Sequence, residues 1–242
     1  MKLFFSIVLA LSILSWHASL VKLWDNKRIT INDSKDFIKK KDDLITDNCL
    51  FQKLKLNDTN LSEKVFQLAY RGFTSLIEKG IITNHELLTI IDFSQPSTAK
   101  RLYVIDLNMR QLVFNTYVAH GQNSGKLFAN RFSNTPNSLQ SSLGFYITSS
   151  MYSGKHGCSL LLNGLEKGFN DQVRERSIVI HGASYVSDSF IEINGYLGRS
   201  WGCPAIPENL VLPIVNTIKN GTCLFIYANQ ESYLKKSSIL HS

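Results

Sequence analysis

Two stretches of the chain are the most informative about its fold, IVIHG at residues 178–182 and GRSWGCP at residues 198–204. In the first, a β-branched segment ends in His181 and Gly182, a pattern typical of a strand that leads into a loop. In the second, Cys203 stands between a glycine and a proline, which indicates a turn. Because functional groups gather in loops at strand ends, the two stretches predict a cysteine and a histidine that meet at one edge of a sheet.

A cysteine and a histidine placed in this way have a definite chemical use. A thiol near its reference pKa of about 8.5 is mostly protonated at neutral pH, so a nucleophilic cysteine needs a base or a cation beside it. We expect His181 to be that base for Cys203, with the N–H groups of Gly202 and Cys203 facing an oxyanion. Ser200 lacks the Gly-x-Ser-x-Gly elbow of a serine nucleophile and is expected to support Cys203. The alternative is a small buried cysteine in a turn and a core histidine.

Length and charge set the class of protein. With 242 residues and 44% hydrophobic content, the chain can bury the core of one catalytic domain. Its formal net charge of +7 favours anionic surfaces, including an acidic cell-wall polymer. The basic residues are scattered and no base-stacking motif accompanies them, which argues against nucleic acid as a partner.

The N-terminal residues predict export. Lys2 is followed by an uncharged apolar segment at residues 3–14 and then by small residues, the pattern of a signal peptide at residues 1–19. We therefore expect a protein of the periplasm or cell envelope, whose only membrane contact is this segment. An uncleaved anchor and a buried N-terminal helix are the alternatives. Residues 20–58 are rich in lysine and aspartate and are interpreted as a linker with one short helix at residues 34–44.

The rest of the chain predicts a few helices and then many strands. Asn60 and Glu63 suggest a capping box that begins a helix ending at Gly80, and a second short helix is expected at residues 84–91. Another helix is predicted at residues 213–219, with a proline in its first turn. Segments rich in β-branched and aromatic residues predict strands at 102–107, 112–119, 145–148, 159–162, 178–181, 190–193 and 223–227. Few connections between these strands are long enough for helical crossovers, so a mainly antiparallel β architecture is expected.

Other reactive side chains give weaker signals. Each of His120 and His156 stands beside a glycine near a strand end, but neither has the spacing of a metal ligand, so no metal site is predicted. The acidic residues form no recognisable catalytic pair. If Cys203 is a free thiol, at least one of the other three cysteines is unpaired, and the sequence leaves their disulfide state open. These cysteines are Cys49, Cys158 and Cys223.

At His181-Gly182 and Ser200-x-Gly202-Cys203 the chain resembles the L,D-transpeptidase catalytic domain family, bacterial cell-wall enzymes with a catalytic cysteine and histidine. The resemblance covers approximately residues 62–228. Further blocks resemble one branch of the family, at residues 119–121, 124–125, 132–134, 142–146, 154–157 and 164–171.

This resemblance implies a mainly β fold, a mostly antiparallel sandwich or barrel-like sheet with N-terminal helices and a C-terminal helix. The catalytic domain would span residues 59–228 and leave a tail at 229–242. The implied reaction uses no cofactor. Cys203 would attack the carbonyl on the L side of an L,D peptide bond in a peptidoglycan stem peptide, with His181 as base. The amine of a second stem peptide would then take the acyl group, and water in its place would make the protein an L,D-carboxypeptidase.

The chain departs from the family pattern beside the cysteine. Trp201 stands where histidine is common, and Pro204 and Ala205 replace the usual aliphatic residue and its following arginine or asparagine. Arg199 is a candidate for the missing positive charge. A wall-binding module that has lost catalysis is therefore kept as an alternative. The expected substrate-binding residues are Arg199, Trp201, His156 and Gly182.

Overall fold

The computed structural model of the chain describes residues 49–154 and 157–242. The expected signal peptide at residues 1–19, the short helix at 34–44 and most of the linker therefore lie outside the described residues. His156 lies outside them as well. Within the described ranges, no helix has both the length and the apolar character needed to cross a membrane.

The described residues form eight strands and five α-helices. The helices are α1 (Cys49–Lys53), α2 (Glu63–Glu78), α3 (Asp188–Asn194), α4 (Glu208–Ile218) and α5 (Glu231–Lys236), with a short 3₁₀ helix at Leu56–Asp58. The strands are β1 (Leu87–Asp92), β2 (Leu102–Asp106), β3 (Gln111–Thr116), β4 (Gly144–Gly154), β5 (Gly157–Gly164), β6 (Val179–Gly182), β7 (Ala205–Ile206) and β8 (Cys223–Tyr227).

All eight strands belong to one sheet, in the order β3-β2-β1-β8-β4-β5-β6-β7. Five of the seven neighbouring pairs are antiparallel, and β1 with β8 and β6 with β7 are parallel. Just after β3, Ala119 forms an antiparallel bridge with Ala205 of β7, so the two edge strands approach each other and the sheet nearly closes. The expected mainly β, mostly antiparallel and barrel-like fold is confirmed.

Helix α2 covers the central strands and supplies much of the core. Its apolar side recurs at helical spacing and packs on β1 and β8. Gly72 brings it close to the sheet, because a Cβ at this position would lie 2.0 Å from the ring of Phe145. The expected cap at Asn60 is wrong: the helix begins at Glu63, and Ser62 accepts the N–H of Val65 at 3.3 Å.

Two predicted elements have the wrong secondary structure. The helix expected at residues 84–91 is instead strand β1, which lies between β2 and β8 and is buried on both faces. A fully buried strand lacks the alternation that distinguishes it from a buried helix, so periodicity fails there. The strand expected at 190–193 is helix α3, which Ser187 caps by accepting the N–H of Phe190 and which Gly195 ends in a left-handed conformation.

Helix α4 also differs from its prediction. It begins at Glu208, five residues before Pro213, so the proline lies inside the helix and not in its first turn.

The C-terminal residues pack on the sheet through a buried carboxylate. Glu166 is buried and accepts hydrogen bonds from the Phe145 N–H and the Tyr233 hydroxyl, both at 2.8 Å, and from the Ser237 hydroxyl. Burial raises the pKa of the Glu166 carboxyl, and these donors act in the opposite direction. The segment at 229–242 is thus tied to the start of β4 by helix α5.

Candidate active site

Cys203 lies in the loop that leads into β7, beside the beginning of β6. Its half-buried thiol accepts the N–H of Val179 at 3.5 Å and donates to the Ser177 carbonyl at 3.8 Å. The sulfur faces a cleft of about 430 Å³. The cleft is lined by Tyr152, Ser159, Arg176, Ser177, Ile178, Val179, His181, Tyr185, Arg199, Ser200, Trp201 and Cys203.

His181 reaches the same cleft from β6. In the sheet it pairs with Ser159 of β5 on one side and with Ala205 of β7 on the other. Ala205 is two residues after Cys203, so this pairing brings the backbone of His181 close to the cysteine loop. Its Nδ1 lies 2.9 Å from the Gly182 carbonyl. A carbonyl oxygen only accepts, so Nδ1 carries the hydrogen and Nε2 holds the lone pair of the neutral ring. The imidazole is therefore oriented as a proton acceptor at Nε2.

Ser200 holds the cysteine loop in shape. Its hydroxyl donates to the Cys203 carbonyl at 2.6 Å and accepts the N–H of Gly202 at 3.0 Å. Its own N–H donates to the His120 carbonyl at 3.0 Å. The Gly202 N–H is thus already engaged inside the loop, whereas the Cys203 N–H acts to lower the pKa of its own thiol.

The cleft makes Cys203 a weak acid in the free protein. Burial raises the pKa of the thiol, and the Val179 N–H and the Arg176 guanidinium offset only part of that effect. The resting sulfur therefore keeps its proton at neutral pH, and attack on a substrate requires a proton acceptor.

We expect the alkylation rate of Cys203 by iodoacetamide to be still rising at pH 9, because the thiolate fraction follows the raised pKa. An ordinary cysteine is half ionised near pH 8.5. Peptide mass spectrometry after timed alkylation between pH 6 and 10 measures the rate at Cys203 separately from the other cysteines. A midpoint below pH 8 would contradict the expectation.

The predicted substrate-binding residues occupy different places. Trp201 is 75% exposed and lines the cleft. Arg199 also lines it, but its guanidinium is exposed, 5.5 Å from the Tyr196 ring centroid. Gly182 instead packs against α4, where a Cβ would lie 2.5 Å from the Val211 side chain.

Arg176 lines the cleft without having been predicted. It precedes β6 in an irregular segment, and its sequence neighbours offer no motif that distinguishes it from the other scattered basic residues.

His120 lies behind the cysteine loop and is fully buried. Its Nδ1 accepts a hydrogen bond from Arg101 at 2.8 Å, and Arg101 also donates to the Val118 and Gln95 carbonyls. Burial and the charge of Arg101 lower the pKa of His120 to about 3. This histidine therefore stays neutral at physiological pH and is a structural residue, absent from the cleft lining.

The neutral state of His120 makes stability depend on pH. Its pKa falls from 6.5 to about 3 on folding, so only the unfolded chain takes up this proton between those values. The contribution of His120 to the free energy of unfolding is fully present above pH 6.5. It decreases as the pH falls towards 3, by up to about 1.4 kcal/mol per pH unit.

We expect the free energy of unfolding of His120→Gln, whose amide oxygen can accept from Arg101, to depend less on pH than that of wild type. Urea unfolding at pH 7.5, 6.5, 5.5 and 4.5 measures this dependence. His241→Gln, at the exposed C-terminus, is the control, and parallel curves for wild type and His120→Gln would refute the expectation.

No group of three or more histidine, cysteine, aspartate or glutamate side chains able to hold a metal occurs in residues 49–154 and 157–242. Cys158, Cys203 and Cys223 are free thiols. The cleft brings together the thiol of Cys203 and the imidazole of His181.

Comparison with known proteins gives one family and several distant structures. Residues 57–227 match the family model for the L,D-transpeptidase catalytic domain. An L,D-transpeptidase from Mycobacterium smegmatis is 11% identical, with a TM-score of 0.36 over 59% of each chain. One from Xylanimonas cellulosilytica is 13% identical, with a TM-score of 0.33 over 63% of this chain and 68% of that one.

The helical cell shape determining protein Pgp2 from Campylobacter jejuni is 15% identical, with a TM-score of 0.38 over 60% of this chain and 48% of Pgp2. The chain thus spans less than two thirds of the Mycobacterium and Campylobacter proteins. No curated protein matches it.

Proposed function

The chain belongs to the L,D-transpeptidase catalytic domain family, and from that premise we propose that it is an exported cysteine L,D-transpeptidase that cross-links peptidoglycan. The family acts on peptidoglycan stem peptides. The observation that carries the proposal is that Cys203 and His181 open onto one cleft. The Gly182 carbonyl holds Nδ1 of His181, which leaves Nε2 as the proton acceptor.

In the first step, Nε2 of His181 takes the proton from the Cys203 thiol as the sulfur attacks the donor carbonyl carbon. The attacked carbonyl is on the L side of the L,D bond. The oxyanion that forms would accept a hydrogen bond from the Cys203 N–H, since the Gly202 N–H is engaged by Ser200. The C–N bond then breaks, and the departing amine takes the proton from His181. The product is a thioester between Cys203 and the donor stem peptide.

In the second step, an amine of another stem peptide attacks the thioester. His181 takes a proton from this amine, the C–S bond breaks, and the proton passes to the sulfur. The thiol is regenerated and a new amide joins the two stem peptides. Water in place of the amine gives hydrolysis, the carboxypeptidase alternative.

The decisive experiment is to incubate purified protein with disaccharide tetrapeptide and to follow the products by mass spectrometry. We expect a cross-linked dimer together with the released D-amino acid. Shortened monomer alone would assign an L,D-carboxypeptidase. Absence of both products, with retention of the protein on purified sacculi, would favour a wall-binding module.

Export is the second part of the proposal. It is supported by the basic start and apolar segment of residues 1–19, which are typical of a signal peptide. N-terminal analysis of the protein in periplasmic extracts should find a chain that begins near Ser19. Full-length protein confined to the cytosol would refute export without affecting the proposed chemistry.

A further inference from the structure

Arg176 is a half-buried cation whose contacts carry no compensating charge. Its Nη1 donates to the Ser133 carbonyl at 2.6 Å, and its Nη2 donates to the Ser138 hydroxyl and the Gln140 carbonyl. These partners are neutral. Over the residues that the structure describes, the single ion pair is Lys235 with Glu231, so no carboxylate accompanies Arg176. A charge removed from water is usually paired, which makes an unpaired guanidinium at the cleft a feature that needs an explanation.

The guanidinium lies immediately behind the cysteine loop. A Cβ built on Gly202 would stand 3.2 Å from Nη2 of Arg176 and 2.8 Å from the Gln140 carbonyl. Gly202 also has a φ of +124°, which disfavours any residue with a side chain. The glycine before Cys203 therefore lets the cation approach the loop that carries the sulfur.

We propose that Arg176 is a positioning residue of the reaction: its fixed guanidinium supplies the positive charge that favours the anionic sulfur of Cys203. The proposal rests on the proposed function and extends it to a residue outside the sequence blocks on which the resemblance was based. Arg199, the candidate from sequence, is exposed, and its single hydrogen bond to another described residue is a 3.4 Å contact to the Gly125 carbonyl. Arg176 is held by three hydrogen bonds, so its charge stays in one place with little loss of entropy.

The electrostatics of the site favour the thiolate form of Cys203 more when Arg176 is present. The charge of Arg176 lowers the pKa of Cys203, while Cys203 in turn raises the pKa of Arg176 against its burial. In the described part of the chain, the other titratable or charged side chains that line the cleft are Tyr152, His181, Tyr185 and Arg199. Burial raises the pKa of Tyr185 to about 12, so this side chain is uncharged at neutral pH.

The test is the pH profile of Cys203 alkylation by iodoacetamide in Arg176→Gln. We expect the midpoint to rise by about 0.5–1 pH unit and the rate at pH 7.4 to fall about 3–10-fold, the size expected for one cation several ångströms away at a partly solvated site. Arg174→Gln is the matched control, because it removes the same charge from an exposed side chain in the same segment. Its midpoint should equal that of wild type.

A merely structural role for Arg176 predicts a different pattern. Loosening of the loop at residues 133–140 would change the rate at every pH without moving the midpoint, and Arg176→Lys would behave like Arg176→Gln. If the charge is what matters, Arg176→Lys retains it, and the midpoint of its pH profile should lie close to that of wild type. An unchanged midpoint in folded Arg176→Gln, or an equal shift in Arg174→Gln, would overturn the proposal.

A second measurement does not require Arg176→Gln to fold. Lys155, which lies outside the described residues, and the exposed Arg199 are both replaced by glutamine, so that neither can add positive charge at the cleft. In this double variant at pH 9, where imidazole is neutral, iodoacetate is anionic and iodoacetamide is not. We expect the ratio of their rates at Cys203 to exceed the ratio for N-acetylcysteine about threefold or more, because Arg176 attracts the anion. A ratio equal to or below that of N-acetylcysteine would overturn the proposal. Both measurements follow alkylation of the Cys203 thiol and not cross-linking. The role of Arg176 can therefore be refuted while cross-linking is observed, and the cross-linking activity can be refuted while the role of Arg176 is supported.

Discussion

Cys203→Ser should abolish formation of cross-linked stem peptides, with a loss of about 10³-fold or more, while the protein remains folded. A hydroxyl is a much poorer nucleophile than a thiol at neutral pH unless a site is built to deprotonate it. The Cys203 sulfur has the Val179 N–H and the Ser177 carbonyl as its hydrogen-bond partners, and burial already raises the pKa of the thiol, which is a much stronger acid than a serine hydroxyl. Such a site has little capacity to ionise serine.

The measurement is chromatography and mass spectrometry of products from disaccharide tetrapeptide, with circular dichroism to verify the fold. Cys158→Ser is the matched control, since Cys158 is also a free, partly buried thiol but does not line the cleft. Its turnover should equal that of wild type. Cross-linking by Cys203→Ser at the wild-type rate would show that another residue is the nucleophile.

His181→Ala should lower turnover by about 10²-fold or more, the usual contribution of a general base. The raised pKa of Cys203 makes this dependence strong, because the resting thiol keeps its proton and must lose it during attack. In the proposed second step, the same imidazole takes the proton of the acceptor amine. Removal of His181 therefore impairs both formation and consumption of the thioester.

Single-turnover and steady-state rates with disaccharide tetrapeptide distinguish the two steps, and His241→Gln is the control for loss of an imidazole outside the cleft. Sedimentation with purified sacculi should be unchanged, since Trp201 and Arg199 remain at the cleft. If neither wild type nor His181→Ala turns over tetrapeptide and both sediment with sacculi, the wall-binding alternative replaces the enzyme.

The sequence predicted the sheet better than it predicted the elements whose pattern is ambiguous. β2 and β8 were located closely, because their β-branched and aromatic segments are bounded by turn residues. β1 was mistaken for a helix because a strand buried on both faces shows no alternation. α3 was mistaken for a strand, although Ser187 and Asp188 form the start signal of a helix.

The sequence was enough to predict the family and to propose the chemistry of the candidate site. Cys203 follows a glycine in a loop and His181 precedes a glycine at the end of β6, a pattern set by covalent neighbours and therefore visible without a structure. The resemblance to the L,D-transpeptidase catalytic domain family rests on the same short blocks, and the family is confirmed. Residue types and local spacing suffice for such an inference, because each block consists of a few consecutive residues.

The charges and hydrogen bonds that surround that pair come from residues that folding brings together. Arg176 enters the cleft because carbonyls 36 and 43 residues earlier in the chain hold its guanidinium. His120 stands next to a glycine, as His181 does. It is buried and neutral, and Arg101, which directly precedes β2 and is 19 residues away in the sequence, donates a hydrogen bond to it. The tautomer of His181 depends on one carbonyl whose direction is set by the pairing of β6 with β5 and β7. Local pattern reports whether a side chain is apolar or reactive, whereas its pKa depends on burial and on groups that folding brings from distant positions.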